Sequence, residues 1–318
     1  MIDLNFRPKV EWRCAVIPKK DGGSRHLLIP GDDLKKAQQN ILDYLYHLKS
    51  LGIQPHWCAT GFTPYRNTMT SALRHDRNTP LIIHLDVHNF FPTFPVYKVL
   101  NYLKDKQIPQ TYIDYIEDFA VFHGKKRDQL PQGAPTSPYL TNLGMIEIDE
   151  YFNNLAKSRG YTYTRYADDL TFSVMEGPKA DEAIEMRKLF VHIIAEKLKD
   201  ALGLELSWKK TSFAFMNSPR VPRRMLGITI RKDCLGYNAP RQLRKRTRAA
   251  VNNLYWKLKN GIPKEELWAE YWKVLGMTNY CNYVRGKSDM IVGGFDPAIN
   301  REQYEYIRKE FGYADRSY

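Results

Sequence analysis

The amino-acid sequence predicts an α+β protein whose first part mixes strands with helices and whose last part is helical and basic. Up to residue 235, short β-prone runs alternate with longer segments of helical periodicity. Turn residues between neighbouring β-prone runs, such as Gly22 and Gly23, are typical of antiparallel hairpins. From residue 240 onward, the apolar residues recur at helical spacing.

The elements of the first half follow from local signals. Residues 14–30 have the pattern of a strand, a Gly-Gly turn and a second strand. Residues 32–52 predict a helix that starts with two acidic residues and stops at a glycine. The apolar run 80–87 predicts a short strand that ends on an aspartate. Two amphipathic helices follow, and then residues 137–160 predict one long helix.

The second half of the mixed region begins with a predicted hairpin at residues 161–174, "YTYTRYADDLTFSV". Two β-prone runs flank its acidic centre. Residues 177–203 predict a further amphipathic helix. After it, residues 204–210 and 223–233 predict short strands, and the remainder of the chain is predicted to be helical.

Composition limits the class of protein. The chain has 318 residues, of which 43% are hydrophobic, enough for two or three packed lobes. No apolar run is long enough to span a membrane, and the N-terminal "MIDLNFRPKV" lacks the apolar region of a signal peptide. The four cysteines are far apart and form no C-x-x-C pair, which disfavours disulfides and zinc. We therefore expect a cytoplasmic protein that does not bind membranes.

Positive charge is concentrated near the start of the helical part. The formal net charge is +13, and residues 219–259 contain twelve basic residues against the single acidic residue Asp233. Such a stretch can be a solvated surface, but its density and the interleaved Tyr255 and Trp256 favour binding to nucleic acid.

Three aspartates form the candidate catalytic constellation. Asp86 ends its predicted strand, whereas Asp168 and Asp169 lie in the predicted hairpin turn. Each of these positions is also common for aspartate in an ordinary turn. Adjacent carboxylates repel one another, however, and burial favours protonation unless a cation is present. If the two strands are neighbours, the three carboxylates can hold two Mg²⁺ ions, with Mn²⁺ as a substitute, for phosphoryl transfer.

Three motifs, taken in their order and spacing, resemble the palm motifs of reverse transcriptases. They are "LDVHNFF", "LPQGAPTSP" and "RYADDLTFS". In addition, "IPKKDGGSRHLLIP" resembles the fingers strands of these enzymes, "GLELSWKKT" their palm lysine motif and "RRMLGITI" their primer-grip hairpin. The resemblance is to bacterial retron-type reverse transcriptases, and it covers residues 13–235 closely and the helical remainder loosely.

This resemblance implies a right-hand polymerase fold with fingers, palm and thumb. It places the fingers in residues 1–79 and the palm in residues 80–235, with an inserted fingers segment around residues 95–130. Residues 236–318 would form a helical, basic thumb and a C-terminal tail. The palm would contain an antiparallel sheet that carries the YADD hairpin.

The resemblance also implies roles in metal binding and catalysis. Asp86, Asp168 and Asp169 would be metal ligands and catalytic residues, and the Val87 carbonyl would be a further metal ligand. Lys210 would donate a proton or a positive charge to the pyrophosphate leaving group.

A second group of implied roles concerns the incoming dNTP. Lys19, Lys20 and Arg25 would bind the triphosphate, because lysine offers a point charge and arginine offers bidentate geometry. Phe91 would be a steric gate that leaves no room for a ribose 2′-OH. Gln132 would contact the nucleotide near its sugar and base.

A third group of implied roles concerns nucleic acid. Leu226 and Gly227 would hold the primer end, where glycine lets a backbone approach closely. The thumb helix would bind phosphates through its basic residues, which are Arg241, Arg244, Lys245, Arg246 and Arg248.

The implied function is that of an RNA-directed DNA polymerase that makes DNA from a dedicated, structured non-coding RNA in bacterial anti-phage defence. The expected partners are this RNA, its DNA product, dNTPs and a toxin or effector protein. Two details leave the subclass open. Retron enzymes carry N-A-x-x-H and V-T-G, where this chain has "SALRH" at 71–75 and "MLG" at 225–227. Other defence-associated reverse transcriptases therefore remain an alternative to retrons.

Two alternative functions differ in chemistry. The first is a non-catalytic RNA-binding scaffold on a degenerate polymerase palm, against which the intact aspartates, Arg25 and Gln132 argue. The second is an RNA-dependent RNA polymerase, against which Phe91 argues. The sequence predicts no oligomeric state.

Overall fold

The structure is a computed structural model that describes residues 2–19, 22–76, 78–174, 182–215, 223–230, 237–288, 296 and 298–312. The chain divides into two compact units, the first made of residues 1–74 and 80–213 and the second of residues 75–79 and 214–318. Among the described helices, none combines the length and apolar character that a membrane crossing requires.

The first unit contains most of the strands and eight of the described helices. In chain order its elements are β1 (Trp12–Pro18), β2 (Ser24–Pro30), α1 (Asp32–His47), α2 (Thr68–Ala72), β3 (Leu81–Asp86), α3 (Phe90–Thr93), α4 (Val96–Asp105), α5 (Gln110–Ala120), β4 (Phe122–His123), β5 (Asp128–Gln129), α6 (Ser137–Gly144), α7 (Ile146–Lys157), β6 (Tyr161–Tyr166), β7 (Asp169–Val174), α8 (Glu182–Leu202) and β8 (Ser212–Phe215), the last of which begins at the end of this unit.

Strands β1 and β2 form the predicted hairpin. They pair antiparallel over their whole length, from Trp12 opposite Pro30 to Pro18 opposite Ser24. The turn is closed by a 2.7 Å hydrogen bond from the Lys19 N–H to the Gly23 carbonyl. Gly22 has φ +85°, a conformation that glycine adopts without strain. The Gly-Gly signal in the sequence therefore marks the turn correctly.

A four-stranded sheet forms the centre of the first unit, in the order β6-β7-β3-β8. The β6-β7 hairpin and the β7-β3 pair are both antiparallel. Phe172 of β7 stacks on Tyr163 of β6 at 4.7 Å between ring centroids and meets Phe190 of α8 edge-on at 5.0 Å. Phe152 of α7 completes this buried aromatic cluster. These contacts pack the β6-β7 hairpin of the sheet against two helices, α7 and α8.

Two predicted elements differ from the structure. Residues 137–160 form two helices rather than one: α6 ends at Gly144 and α7 begins at Ile146, with Met145 as a turn residue between them. Gly144 precedes the break and packs against the Phe94 ring, which a Cβ would approach to 2.8 Å. Residues 204–210 form no strand; Leu206 makes one bridge to Val87, and the strand β8 follows instead.

The second unit contains a small sheet and three of the described helices. Its elements are β9 (Arg224–Met225), β10 (Ile228–Ile230), β11 (Tyr237–Asn238), α9 (Arg241–Lys259), α10 (Lys264–Ser288) and α11 (Arg301–Glu310). The strand order is β11-β10-β9. The helices enclose a separate core, whose fully buried residues include Val251, Leu254, Tyr271, Cys281 and Ile307.

The compact units do not coincide with the three predicted segments. Residues 223–230, predicted to belong to the palm, lie in the second unit with the helical region. Residues 75–79 also belong to this unit: the Thr79 carbonyl accepts a 2.9 Å hydrogen bond from Arg223, and the His75 carbonyl accepts one of 2.7 Å from Tyr237. The division into fingers 1–79, palm 80–235 and thumb 236–318 remains a prediction.

Candidate active site

The three aspartates lie at one end of the central sheet. Asp86 is the last residue of β3, and Asp169 is the first residue of β7 and lies directly opposite Asp86 in the register. Such cross-strand neighbours have Cβ atoms about 5 Å apart. The Val87 N–H donates a 3.0 Å hydrogen bond to the Asp168 carbonyl, which ties the hairpin turn to the end of β3. The condition set by the sequence, that the two strands are neighbours, is thus met.

The turn that carries Asp168 has a strained backbone. Because Tyr166 pairs with Asp169, only Ala167 and Asp168 form the loop. Ala167 has φ +55°, in the left-handed region that such tight hairpin turns require. A residue with a Cβ in that region costs about 1 kcal/mol relative to right-handed geometry. The surrounding structure therefore has to hold this turn.

The carboxylates differ in exposure and raise one another's pKa values. Asp86 is buried, Asp168 is half-buried and Asp169 is the most exposed. Burial, followed by the negative charges of Asp168 and Asp86, raises the pKa of Asp169 to about 7. Burial and then the charge of Asp86 raise the pKa of Asp168, while Lys210 and Arg25 oppose this rise. The cluster therefore has more negative charge than its protein neighbours compensate.

Lys210 supplies the closest positive charge in the described structure. Its Nζ donates hydrogen bonds of 2.9 Å to both carboxylate oxygens of Asp86. The segment that carries Lys210 is fixed to β3, because the Ser207 N–H donates a 2.7 Å hydrogen bond to the Asp86 carbonyl. Burial opposes protonation, but the hydrogen bond and charge of Asp86 raise the pKa of Lys210. Lys210 is thus held as a cation at the site.

The donor set suits Mg²⁺ in chemical type. It consists of carboxylate oxygens with excess negative charge, and Mg²⁺ binds to proteins through a few carboxylates plus water and phosphates. In the described residues, no group of three acidic, His or Cys side chains is already arranged around one point as a metal cluster. Asp86 instead forms an ion pair with Lys210, so a metal ion at Asp86 would have to replace the ammonium group as its partner.

The nucleotide residues predicted on the fingers strands lie in the hairpin β1-β2. Arg25 is exposed, and its positive charge lowers the pKa of Asp168, so it acts electrostatically on the site. Lys19 is half-buried at the hairpin turn. Lys20 lies outside the described residues.

The loop that carries Gln132 is joined to this hairpin. The Gln132 carbonyl accepts a 2.9 Å hydrogen bond from the Leu28 N–H of β2. Gly133 follows with φ +122°, and a Cβ there would lie 2.8 Å from the Leu28 carbonyl oxygen. Only glycine therefore permits this close approach. The "PQG" motif has a structural reason in addition to its predicted nucleotide contact.

The two phenylalanines after Asp86 have different surroundings. Phe90 is buried, with an exposed fraction of 3%, and packs edge-on against Phe94. Phe91 is half-buried and lies edge-on to Phe90 at 5.4 Å between ring centroids. The accessible ring is thus the one predicted to act as a gate.

The sequence of this site has relatives of known class. Residues 17–277 match the family model described as reverse transcriptase (RNA-dependent DNA polymerase). The chain belongs to the reverse transcriptase family. The predicted resemblance is confirmed, and with it the α+β polymerase fold class.

Two retron enzymes illustrate the similarity. The chain is 30% identical over 276 residues to the Retron Mx162 reverse transcriptase of Myxococcus xanthus, covering 81% of this chain and 54% of that protein. It is 28% identical over 258 residues to the Retron Ec86 reverse transcriptase of Escherichia coli, covering 79% and 72% respectively. The chain thus spans about half the length of the first relative. Among solved structures, a truncated apo telomerase of Candida tropicalis matches with 14% identity and a TM-score of 0.48, over 72% of this chain and 55% of that one.

The predicted primer-grip residues form a tight turn within the second unit. Met225 pairs with Ile228, so Leu226 and Gly227 are the only loop residues. Their φ angles are +50° and +83°, the pattern of a type I′ hairpin turn. The Gly227 carbonyl accepts a 3.3 Å hydrogen bond from the Tyr280 hydroxyl of α10.

The basic residues of helix α9 do not all have the same environment. Arg241, Lys245, Arg246 and Arg248 are exposed, as nucleic-acid binding requires. Arg244 differs, because its guanidinium forms hydrogen bonds of 2.8 and 2.9 Å with the buried Asp296 carboxylate. This ion pair engages Nε and Nη2 of Arg244, so the residue also has a structural role, and its binding of phosphate stays a prediction.

Other members of the basic stretch are also differently placed. Arg223 is buried and donates to a backbone carbonyl, so it does not contribute to a basic surface. Arg220, Arg231 and Lys232 lie outside the described residues.

Two buried charged residues beside the site are not among the site residues that the sequence predicts. Arg165 and Asp149 are completely buried and form an ion pair of 2.6 Å beside the YADD turn. A signal for Arg165 exists in the sequence, because it is the only charged residue in the β-prone run "YTYTRY". Periodicity alone gives Asp149 no distinguishing mark within its helix.

Proposed function

We propose that this protein is an RNA-directed DNA polymerase that extends a primer with dNTPs by two-metal nucleotidyl transfer. The observation that carries the proposal is the register of β3 and β7, which brings Asp86 opposite Asp169 and ties the Asp168 carbonyl to Val87. Membership in the reverse transcriptase family supports the same reaction.

The aspartates would hold two Mg²⁺ ions, with the Val87 carbonyl as a further ligand and Mn²⁺ as a substitute. When bound, such ions supply activation of the attacking primer hydroxyl and stabilisation of the leaving oxygen. Lys210 would leave Asp86 and give a proton or a positive charge to the departing pyrophosphate. Positioning and electrostatics then account for most of the acceleration.

The remaining site residues would bind and select the nucleotide. Lys19, Lys20 and Arg25 would contact the triphosphate, and the charge of Arg25 already acts on Asp168. Phe91 would stack beneath the sugar and exclude a 2′-OH. Gln132, on the loop joined to β2, would contact the sugar and base.

Nucleic acid would be held mainly by the second unit. Leu226 and Gly227 would hold the primer end through their turn. Phosphates would be bound by four exposed cations in the first half of α9, which are Arg241, Lys245, Arg246 and Arg248.

The biological setting is proposed from the relatives. Retron reverse transcriptases among them favour a dedicated structured RNA template, a DNA product and a role in anti-phage defence in the cytoplasm, with a toxin or effector protein as partner. Sequencing of nucleic acid that co-purifies with the protein tests this step. A discrete RNA–DNA species with a 2′-branched linkage supports a retron, whereas a repetitive or untemplated product supports another defence class.

The catalytic proposal is tested by primer extension on an RNA template. Asp86→Ala, Asp168→Ala and Asp169→Ala should each reduce synthesis by about a thousandfold, because metal ions supply several kcal/mol of transition-state stabilisation. Asp200→Ala, on the exposed side of α8, is the matched control and should leave synthesis unchanged.

The two alternatives give different results in the same assay. Undiminished synthesis by the aspartate variants would remove the assignment, and a folded wild-type protein that binds RNA without synthesis would be a scaffold. Preference for NTPs over dNTPs would identify an RNA-dependent RNA polymerase.

A further inference from the structure

A buried arginine, Arg165, contacts the strained turn that carries Asp168. Arg165 Nη1 donates a 3.2 Å hydrogen bond to the carbonyl of Ala167, the residue with φ +55°. That carbonyl belongs to the peptide group between Ala167 and Asp168. Because a peptide group is planar, a fixed Ala167 carbonyl also fixes the direction of the Asp168 N–H and the position of the Asp168 Cα.

Arg165 itself is held on both sides of its guanidinium. Nε donates to Asp149 Oδ1 at 2.8 Å, and Nη2 donates to Asp149 Oδ2 at 2.6 Å, in the bidentate geometry that favours arginine over lysine. Nη1 also donates to Asn142 Oδ1 at 2.8 Å. Four of the five N–H donors of the side chain are therefore engaged.

The backbone of Arg165 is fixed as well. Its N–H donates to the Cys58 carbonyl at 2.9 Å, and its carbonyl accepts from the Thr60 N–H at 2.8 Å. The loop that contains these partners also contacts the turn, because a Cβ on Gly61 would lie 2.9 Å from the Tyr166 ring. The Asn142 amide donates to the Gly61 carbonyl at 2.8 Å, so the network joins α6, α7 and this loop around the hairpin.

Stability alone does not account for this arrangement. Arg165 and Asp149 are both fully buried, with exposed fractions of 0%. Replacement of a buried ion pair by apolar residues of similar volume is often neutral or stabilising. An apolar pair, however, has no donor for the Ala167 carbonyl, and this is the feature that an ion pair provides here.

We propose that Arg165 is a positioning residue for catalysis, whose guanidinium, held by Asp149 and Asn142, sets the Ala167–Asp168 peptide and thereby the Asp168 carboxylate. This inference rests on the proposed polymerase function. It assigns Arg165 no contact with substrate or metal, since its action passes through the turn.

Arg165→Lys tests the proposal while keeping the positive charge. Lysine has three donors on one nitrogen and cannot satisfy Asp149, Asn142 and the Ala167 carbonyl in the arginine geometry. The kcat for dNTP incorporation should fall by about ten- to a hundredfold, because a small misplacement of a catalytic group has an effect of this size. The KM for dNTP should stay within about threefold of the wild-type value. Tyr163→Phe is the matched control, because it removes a 2.9 Å hydrogen bond to the same Asp149 but has no bond to the turn. Its kcat should stay within about twofold of wild type.

A second readout does not depend on synthesis. Electron paramagnetic resonance of Mn²⁺ titrated into the nucleotide-free protein reports metal affinity directly. The dissociation constant should rise at least about threefold in Arg165→Lys and remain unchanged in Tyr163→Phe, because only the former moves Asp168. If wild type binds Mn²⁺ with this pattern but makes no DNA, the proposed function fails, while the part of the inference by which Arg165 positions the Asp168 carboxylate stands.

A fold-preserving variant separates positioning from stability. Arg165→Met, Asp149→Leu and Tyr163→Phe combined replace the buried polar group with apolar residues. Loss of a buried ion pair is often neutral or stabilising, whereas Asn142 and the Ala167 carbonyl each lose a donor, so the Tm should lie within about 5 °C of that of Tyr163→Phe alone. We expect this variant to lose kcat as Arg165→Lys does. Activity within about twofold of Tyr163→Phe, in either folded variant, would overturn the proposal. Failure of both variants to fold would assign the pair to the fold and overturn it too.

Discussion

Asp169→Asn should stabilise the metal-free protein at alkaline pH while abolishing synthesis. The pKa of Asp169 is raised from the ordinary 3.8 to about 7 by burial and by the charges of Asp168 and Asp86. In the unfolded chain the carboxyl ionises near its ordinary value, so the folded state loses stability as pH rises from about 4 to 7. Above that interval the loss is complete, and asparagine, which does not ionise, avoids it.

The size of the effect follows from the same interval. Each unit of pKa difference between the folded and unfolded states is worth about 1.4 kcal/mol, so the folded state loses at most about 4 kcal/mol of stability. Because Asp169 is exposed, solvent screening reduces this to about 1–2 kcal/mol. That corresponds to a rise in Tm of roughly 2–4 °C.

The assay is thermal unfolding with a chelator present, at about pH 5 and pH 8, followed by the same scans in millimolar Mg²⁺. The gain in Asp169→Asn should be larger at the higher pH. Mg²⁺ should reverse the order of the two proteins, since it stabilises the wild type through the intact carboxylates. Asp200→Asn, an exposed change of the same kind on α8, should show neither effect. A lower Tm for Asp169→Asn at the higher pH without metal would refute the electrostatic argument and give the residue a structural role.

Four further predictions concern other parts of the molecule. Gly133→Ala should cost about 1–3 kcal/mol in urea unfolding, because its Cβ would meet the Leu28 carbonyl; Gly160→Ala, with φ +67° and open space around it, should cost less. Lys210→Gln should lower kcat by about a hundredfold or more in single-turnover extension, whereas Lys209→Gln should not. Removing the exposed α9 charges one at a time, at Arg241, Lys245, Arg246 and Arg248, should reduce the slope of log K against log salt by about 0.7–0.9 each in RNA binding. An unchanged slope would remove that cation from the interface. Arg244→Gln should instead lower the free energy of unfolding by roughly 3 kcal/mol, since it leaves Asp296 buried without its partner.

Much of the catalytic centre could be predicted because its signals are local. The run "LIIHLD" and the hairpin around Asp168 and Asp169 have clear strand periodicity, whereas their pairing with each other is a condition that the structure supplies. The β1-β2 turn follows from two glycines for the same reason. Local conformational preference decides each of these features.

What the sequence missed depends on contacts between distant residues. The interruption at Met145 lies beside Gly144, which packs against Phe94, fifty residues earlier in the chain. The guanidinium of Arg244 forms its ion pair with Asp296, which lies 52 residues later in the chain. The arginine beneath the YADD turn needs Asp149 and Asn142 from two helices. Periodicity indicates which face of an element is apolar, but it does not indicate which buried charged residue pairs with which partner.

The joint between Leu28 and Gln132 has a mechanical consequence. The β1-β2 hairpin carries Arg25, and the loop carries Gln132, more than a hundred residues later in the chain. A main-chain hydrogen bond and a glycine without room for a Cβ join them. The hairpin and the loop are therefore expected to move together as one rigid unit. Any hinge for closing on a nucleotide would lie outside this joint, so both sides of the proposed pocket would arrive at the substrate at the same time.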